Sequence, residues 1–333
     1  MGRSDLMRVV VSKRVAGLGS CLLCLLRTWD YARRTDRALV IDWRHSEYLP
    51  DAAMNLFDVL FENRAEIAGV PIITGSALAS YRFPEPFHPS GWNQRSIHEI
   101  PDRYFSADRL DDAYPDIQFP RTAQYALCTS GDDHAAPTVV FHHGLRDVGS
   151  GKARYSDMPS AALIADFFDG LTESAAVVSR ADEFAARHFA TRPVFGLHVR
   201  HGNGEFTKRS RNRLGKDPQM LVDRCLRTLA TARGKAGERG TVFLCTDSVE
   251  VQDAFGRALP EAVSFPKQFR PPGDGPLHSG APGVDAAIST LAEMVLLSRC
   301  DVLLHTTSQF TFYPQFNRSS AGHSPLELIE VDL

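Results

Sequence analysis

The segment Val194-Phe195-Gly196-Leu197-His198-Val199-Arg200-His201-Gly202-Asn203-Gly204-Glu205 drives an apolar run straight into Arg, His, Asn and Glu. Arg200 carries a permanent charge and a planar fork of donors that suits a phosphate or diphosphate. Two further apolar runs end in the same way. Val242-Phe243-Leu244-Cys245 leads into Thr246-Asp247-Ser248, and Val302-Leu303-Leu304-His305 leads into Thr306-Thr307-Ser308-Gln309. In an open α/β sheet, ligands gather outside the carboxyl ends of the strands. Three such ends, one bearing an arginine, suit a nucleotide pocket in which hydroxyls and helix amino ends receive phosphates. Each end also has a plain structural reading. Arg200 can pair with a carboxylate, Gly202 and Gly204 can shape a turn, and Asp247 or Ser248 can cap the following helix. Convergence of the three favours the pocket.

These ends need a sheet to hold them, and the rest of the chain supplies the pattern. Residues 8–12 read as a strand, Gly17 and Gly19 as a turn, 20–34 as an amphipathic helix and 38–42 as a second strand, together a βαβ unit. Residues 55–63 read as a short helix, 71–73 with 77–81 as a continuation of the sheet, and 83–116 as loop-rich. A strand at 138–141 ends at His142-His143. Adjacent strand residues point to opposite faces, which argues against those histidines as a metal pair. A helical pattern over 161–189 is long enough to join two halves. The second half then alternates strands at 194–199, 241–245 and 301–305 with helices at 217–233, 248–259 and 285–299. Such alternation predicts a mostly parallel sheet covered on both faces.

Composition narrows the function class. The 333 residues suffice for about two domains. A content of 43% hydrophobic and 23% charged residues is that of a globular protein. A formal charge of -3 gives no support to a nucleic-acid partner held on a broadly basic surface. Cys21, Cys24, Cys128, Cys225, Cys245 and Cys300 sit mostly in apolar runs, and the Cys21-x-x-Cys24 pair has no second pair or spaced histidines to complete a zinc site. The apolar run around them is about a dozen residues long, short of a membrane span, and shows no signal-peptide pattern. A bacterial cytoplasmic enzyme is the expectation.

The same residues carry a family resemblance. His198-Val199-Arg200-His201-Gly202-Asn203-Gly204-Glu205 resembles the phosphate-binding strand end of the bacterial nodulation fucosyltransferases (NodZ) and, more distantly, of the eukaryotic α-1,6-fucosyltransferases. The 242–248 segment resembles their second motif. Gly275-Pro276-Leu277-His278-Ser279 and Ser308-Gln309-Phe310-Thr311 resemble the remaining donor-side elements. Val11-Ser12-Lys13-Arg14 with Gly17-x-Gly19, and Ile41-Asp42-Trp43-Arg44, match at the amino-terminal end.

The resemblance implies a GT-B-like α/β fold: two Rossmann-like domains facing a cleft, an acceptor domain over residues 1–190 and a GDP-sugar domain over 191–333. It implies an inverting transfer of L-fucose from GDP-fucose to the 6-hydroxyl of an N-acetylglucosamine residue of a chito-oligosaccharide or similar acceptor, with no metal or other cofactor and no membrane span. Arg200 would stabilise charge on the departing diphosphate. His198, His201, Gly202, Asn203, Gly204, Asp247, Ser248, His278, Ser308, Gln309 and Thr311 would bind the donor. Glu205 is the first choice of base for the acceptor hydroxyl, Glu293 the second and His201 the third. Asp42, Trp43 and Arg44 would face the acceptor.

Two positions depart from the family pattern: Phe312 stands where the nodulation enzymes tend to have arginine, and Glu293 where the family typically has aspartate. The basic run Lys208, Arg209, Arg211 and Arg213 either compensates or forms a solvated loop. The Phe312 and Glu293 departures motivate one alternative, a transferase of the same scaffold with another nucleotide sugar or a peptide or natural-product acceptor. A second is a non-catalytic nucleotide-sugar-binding protein, against which the retention of Arg200, Glu205, Asp247 and Ser308 together argues.

Overall fold

Strand β1 (Val9–Lys13) is buried along its whole length and feeds α1 (Leu18–Thr35), which returns to β2 (Ala38–Asp42) in parallel with β1. These elements open the first of two compact units, Met1–Thr172 and Glu173–Leu333. The computed structural model describes residues 7–99, 132–141, 158–202, 217–306, 308–317 and 327–331. Helix α1 ends where Asp36 adopts a left-handed conformation at φ 51° and its N–H donates to the Ala32 carbonyl. Arg33 and Arg34 in its last turn complement the helix dipole.

After β2 come α2 (Leu56–Leu60), β3 (Glu66–Ile67), β4 (Val70–Ile73), α3 (Gly75–Ala79), β5 (Phe87–His88), α4 (Gln94–Glu99), β6 (Thr138–Phe141) and α5 (Ala161–Asp169). The sheet order is β3-β4-β2-β1-β6-β5, and only the β3–β4 pair is antiparallel. Residues 77–81, expected to extend the sheet, instead fall in and just after α3. The reason is tertiary: the Asp58 carboxylate accepts from the Thr74 hydroxyl at 2.6 Å and from the Gly75 N–H at 3.0 Å, which ends the strand and starts a helix. The helical pattern over 161–189 likewise resolves into α5 and α6 (Ala175–His188). They separate at Gly170, where a Cβ would stand 2.7 Å from the Ala68 backbone nitrogen.

The second unit continues from α6 with β7 (Val194–Val199), α7 (Pro218–Ala236), β8 (Thr241–Thr246), α8 (Val249–Ala258), β9 (Val263–Ser264), α9 (Val284–Ser298), β10 (Val302–His305), α10 (Phe312–Phe316) and β11 (Glu327–Glu330). Its sheet is wholly parallel in the order β11-β10-β7-β8-β9. The first strand is thus central, with its successors laid to one side and then to the other, the doubly wound arrangement. The chain changes side between β7 and β10.

Side-chain alternation divides β7 between the two faces of the sheet. Phe195, Leu197 and Val199 join a core with Leu221, Val222, Cys225 and Phe255. Gly196 meets the other face, where a Cβ would lie 2.9 Å from the Cys300 Sγ, so α9 comes in close. Cys21, Cys24, Cys225, Cys245 and Cys300 are buried thiols outside any disulfide, while Cys128 lies outside the described residues. Among the described residues no helix is long and apolar enough to cross a membrane.

Candidate active site

The carboxyl ends of β10, β7 and β8 are neighbours in the second sheet, so the three polar clusters marked in the sequence meet at the point where the chain switches sides. In-register pairing of Val199 with Thr246 sets Arg200 opposite Asp247. The Arg200 Nη1 lies 2.7 Å from the Asp247 Oδ2, and the two side chains are 26% and 10% exposed. The Asp247 carboxylate also accepts from the backbone N–H groups of His201 at 2.8 Å and Gly202 at 2.9 Å. Burial raises the Asp247 pKa, but Arg200 and the two amides outweigh it and hold the group below its ordinary value. Gly202 adopts φ +94°, a conformation that side chains disfavour. The Arg200 N–H donates to the Thr306 hydroxyl at 2.9 Å, and the Thr246 hydroxyl to the Val199 carbonyl at 2.8 Å, which ties all three strand ends together.

His198, one turn of the pleat below Arg200, is buried and stacks on Phe310 with ring centres 5.0 Å apart and planes 9° from parallel. Burial, with Arg200, His305 and Lys267 adding to it and Asp247 opposing, pushes its pKa down to about 3, so the ring is neutral. The Ser308 Oγ accepts from the Phe310 N–H at 3.2 Å, and the Thr311 hydroxyl donates to the Ser308 carbonyl at 2.9 Å. The 308–311 turn therefore braces itself, with Gln309 half-buried in it. The Ser248 Oγ accepts from the Val251 N–H and caps α8, as the structural reading of that residue required. His278 lies half-buried in the turn 276–279, away from regular structure.

Glu293 on α9 is buried, and its carboxylate is 2.6 Å from the Lys267 Nζ. Burial raises the Glu293 pKa against the pull of Lys267. The ammonium of Lys267 is disfavoured by burial, but Glu293, Cys245 and Asp247 raise its pKa and keep it charged. Sequence reasoning missed Lys267, Thr306 as an anchor of Arg200, and Phe310 as the partner of His198. Only the tertiary approach of distant segments marks them.

In the first unit Asp42, Trp43 and Arg44 do come at a strand end, but they are buried. The Asp42 carboxylate takes Lys13 at 2.8 Å and Arg44 at 2.8 and 2.9 Å. The Trp43 ring meets the Phe57 ring edge-on at 5.6 Å with no exposed surface, so it is a core residue in this structure. Arg44 also lies 3.2 Å from the His98 Nδ1. Asn203, Gly204 and Glu205, the basic residues Lys208, Arg209, Arg211 and Arg213, and His142 and His143 lie outside the described residues.

Residues 6–320 match the family model for nodulation protein Z (NodZ). The chain is 34% identical over 317 residues to the nodulation protein Z of Sinorhizobium fredii, covering 93% of this chain and 91% of that protein. Among solved structures it resembles NodZ α-1,6-fucosyltransferase co-crystallized with GDP, with a TM-score of 0.68, 29% identity and coverage of 92% and 91% of the two chains. A structure of NodZ α-1,6-fucosyltransferase soaked with GDP-fucose matches with a TM-score of 0.65, 29% identity and coverage of 93% and 92%.

Proposed function

The chain belongs to the nodulation protein Z (NodZ) family of fucosyltransferases, and from that premise we propose that it transfers L-fucose from GDP-fucose to the 6-hydroxyl of an N-acetylglucosamine residue in a chito-oligosaccharide. The observation that carries this reading is the Arg200 clamp: a guanidinium oriented by Asp247 at 2.7 Å, at the side-switching strand end of a doubly wound sheet. As the bond from fucose to the diphosphate breaks, negative charge grows on the departing oxygen, and a fixed cation stabilises it more in the transition state than in the ground state. Arg200 supplies that cation, and the mechanism asks for no divalent metal.

Asp247 works through Arg200 and the loop amides. Its own charge would repel a diphosphate, and its carboxylate already serves the guanidinium and two N–H groups. Ser308, Gln309 and Thr311 present the donor-side turn beside it. We assign the base to Glu205, which follows Arg200 by five residues; it takes the proton of the acceptor hydroxyl as that oxygen attacks the sugar carbon from the face opposite the diphosphate, and the anomeric centre inverts. Glu293 is less suited, because Lys267 holds its carboxylate in a buried ion pair. We assign the acceptor to the first unit, with Asp42, Trp43 and Arg44 shaping a strand end from within. Five buried, unbridged cysteines suit a reducing cytoplasm.

The test is incubation of the purified protein with GDP-fucose and chitin oligosaccharides in EDTA. The expected result is a product heavier by one deoxyhexose, linked to O6 with inverted anomeric configuration. Failure to bind GDP-fucose at millimolar concentration would remove the reading, and product that forms only with added divalent metal would remove its metal-free part.

A further inference from the structure

The donor-side turn is continuous with α10, and α10 is anchored by a polar cluster that the transfer reaction does not use. The Tyr313 side chain on α10 is fully buried. Its hydroxyl donates to the Glu173 carboxylate, which also accepts from the Asn317 Nδ2 at 2.8 Å. The Asn317 amide in turn meets the Tyr313 hydroxyl. Burial, with Glu173 adding to it and Arg299 opposing, pushes the Tyr313 phenol well above its ordinary pKa, so it remains a donor at any working pH. Arg299 is itself paired with Asp182 at 2.7 Å.

The residues that separate this cluster from the turn leave little slack. Ser308 and Thr311 close the turn through their own side chains, the Gln315 amide reaches the Thr311 hydroxyl at 3.4 Å, and α10 starts at the next residue. Turn and helix therefore form one block. The contact of Phe312 with Phe316, 5.0 Å between ring centres, lies within α10, so it stiffens the block but does not remove its freedom to shift as a unit. A hydrogen-bonded carboxylate has direction as well as strength, and it removes that freedom. Glu173 is the first residue of the second unit and immediately precedes Ser174, the N-cap of α6, so its own backbone position is set by that helix.

We propose that Glu173 is a positioning residue for the donor: through Tyr313 and Asn317 it fixes where the 308–311 turn presents its hydroxyl, amide and backbone groups to the nucleoside diphosphate. This rests on the reading of that turn as part of the donor site. A misplaced turn weakens donor binding and leaves the acceptor and the leaving-group cation untouched.

Calorimetric binding of GDP to the wild type, Glu173→Gln, Glu173→Leu and Tyr313→Phe tests it, with the KM of each substrate measured in parallel. Loss of one hydrogen bond to a charged group predicts that Tyr313→Phe weakens GDP roughly tenfold and Glu173→Leu by more. Glu173→Gln keeps an acceptor oxygen for Tyr313 and should stay within about threefold of the wild type. The acceptor KM should not move. Variants that keep native circular dichroism yet bind GDP as the wild type does overturn the proposal, as does Glu173→Gln weakening GDP as much as Glu173→Leu. Because GDP binding is read apart from turnover, a wild type that binds GDP but transfers no fucose would break the proposed reaction while the role of Glu173 is still decided by the variants. A wild type that does not bind GDP overturns both.

Discussion

The two sheets end in the same way and come to opposite results. In the first, β1 and β2 pair so that Lys13 stands opposite Asp42; in the second, β7 and β8 pair so that Arg200, one residue past the strand, stands opposite Asp247. Each is a cation at the end of the first strand beside an aspartate at the end of the second. At the first end Asp42 gains another cation, Arg44, and all three groups are withdrawn from water. At the second end the aspartate has no further side-chain cation among the described residues; it takes two backbone N–H groups where Asp42 takes one, from Arg44, and a quarter of the Arg200 side chain stays exposed. A charge pair closed on itself serves folding; the same pair, held by loop amides at the rim, leaves the cation part-exposed, as the proposed diphosphate role requires.

The sharpest way to break that contrast is to remove Asp42. Asp42→Ala leaves Lys13 and Arg44 as buried cations without their carboxylate, and breaking a buried pair from one side costs about 3–5 kcal/mol. Urea denaturation should show a loss of that size, while the folded fraction keeps a donor KM close to that of the wild type. A loss below about 1 kcal/mol would mean that the cations find water, and the first strand end would then be open like the second. The depressed pKa of Asp42, which burial opposes and Lys13 and Arg44 enforce, makes this contribution full above the ordinary carboxylate value. It is lost as pH falls from about 4 toward the depressed value.

Arg200→Ala should do the reverse. Under the role proposed for Arg200, loss of the charge that stabilises the leaving diphosphate lowers kcat by about 10²–10³. The unfolding midpoint should move little, since Asp247 keeps two backbone donors. Fucosyl transfer at the wild-type rate would erase the distinction between the two strand ends, and so would a stability loss equal to that of Asp42→Ala.

How far the sequence exposes this contrast follows from what holds each part. Continuous β-branched and apolar runs such as Val9-Val10-Val11 and 241–246 mark buried parallel strands without help, and the polar residues after them mark the ends. Arg200 and Asp247 are each visible as polar residues just past a strand, but their pairing depends on which strands are neighbours, a property of topology. Burial is hidden for the same reason: Asp42-Trp43-Arg44 has the composition of an acceptor surface and becomes a closed core corner only because Lys13 and Phe57 arrive from elsewhere. The two-residue β9 is too short to carry a period, and β11 is largely exposed, so neither shows the pattern of a buried strand. The Lys267–Glu293 pair spans 26 positions and has no local signature.

The smallest expected effect bears on His198, which sits directly under the second strand end. Its folded pKa of about 3 lies below the unfolded value near 6.5, so between these the unfolded chain binds a proton that the folded chain refuses. Stability from this residue is therefore full above about pH 6.5 and is lost as pH falls toward 3. Linkage gives a loss of about 2 kcal/mol between pH 7 and pH 5 on account of His198 alone. His45, His88, His98 and His134 in the first unit, and His305 in the second, are lowered chiefly by burial and slope the same way. Calorimetric unfolding of His198→Gln at the two pH values should show a drop smaller by about that amount. If the variant and the wild type lose stability equally, the imidazole is already hydrated or charged in the folded protein. The floor of the second strand end would then be wet, and Arg200 above it would lose the dry wall beside its pair with Asp247.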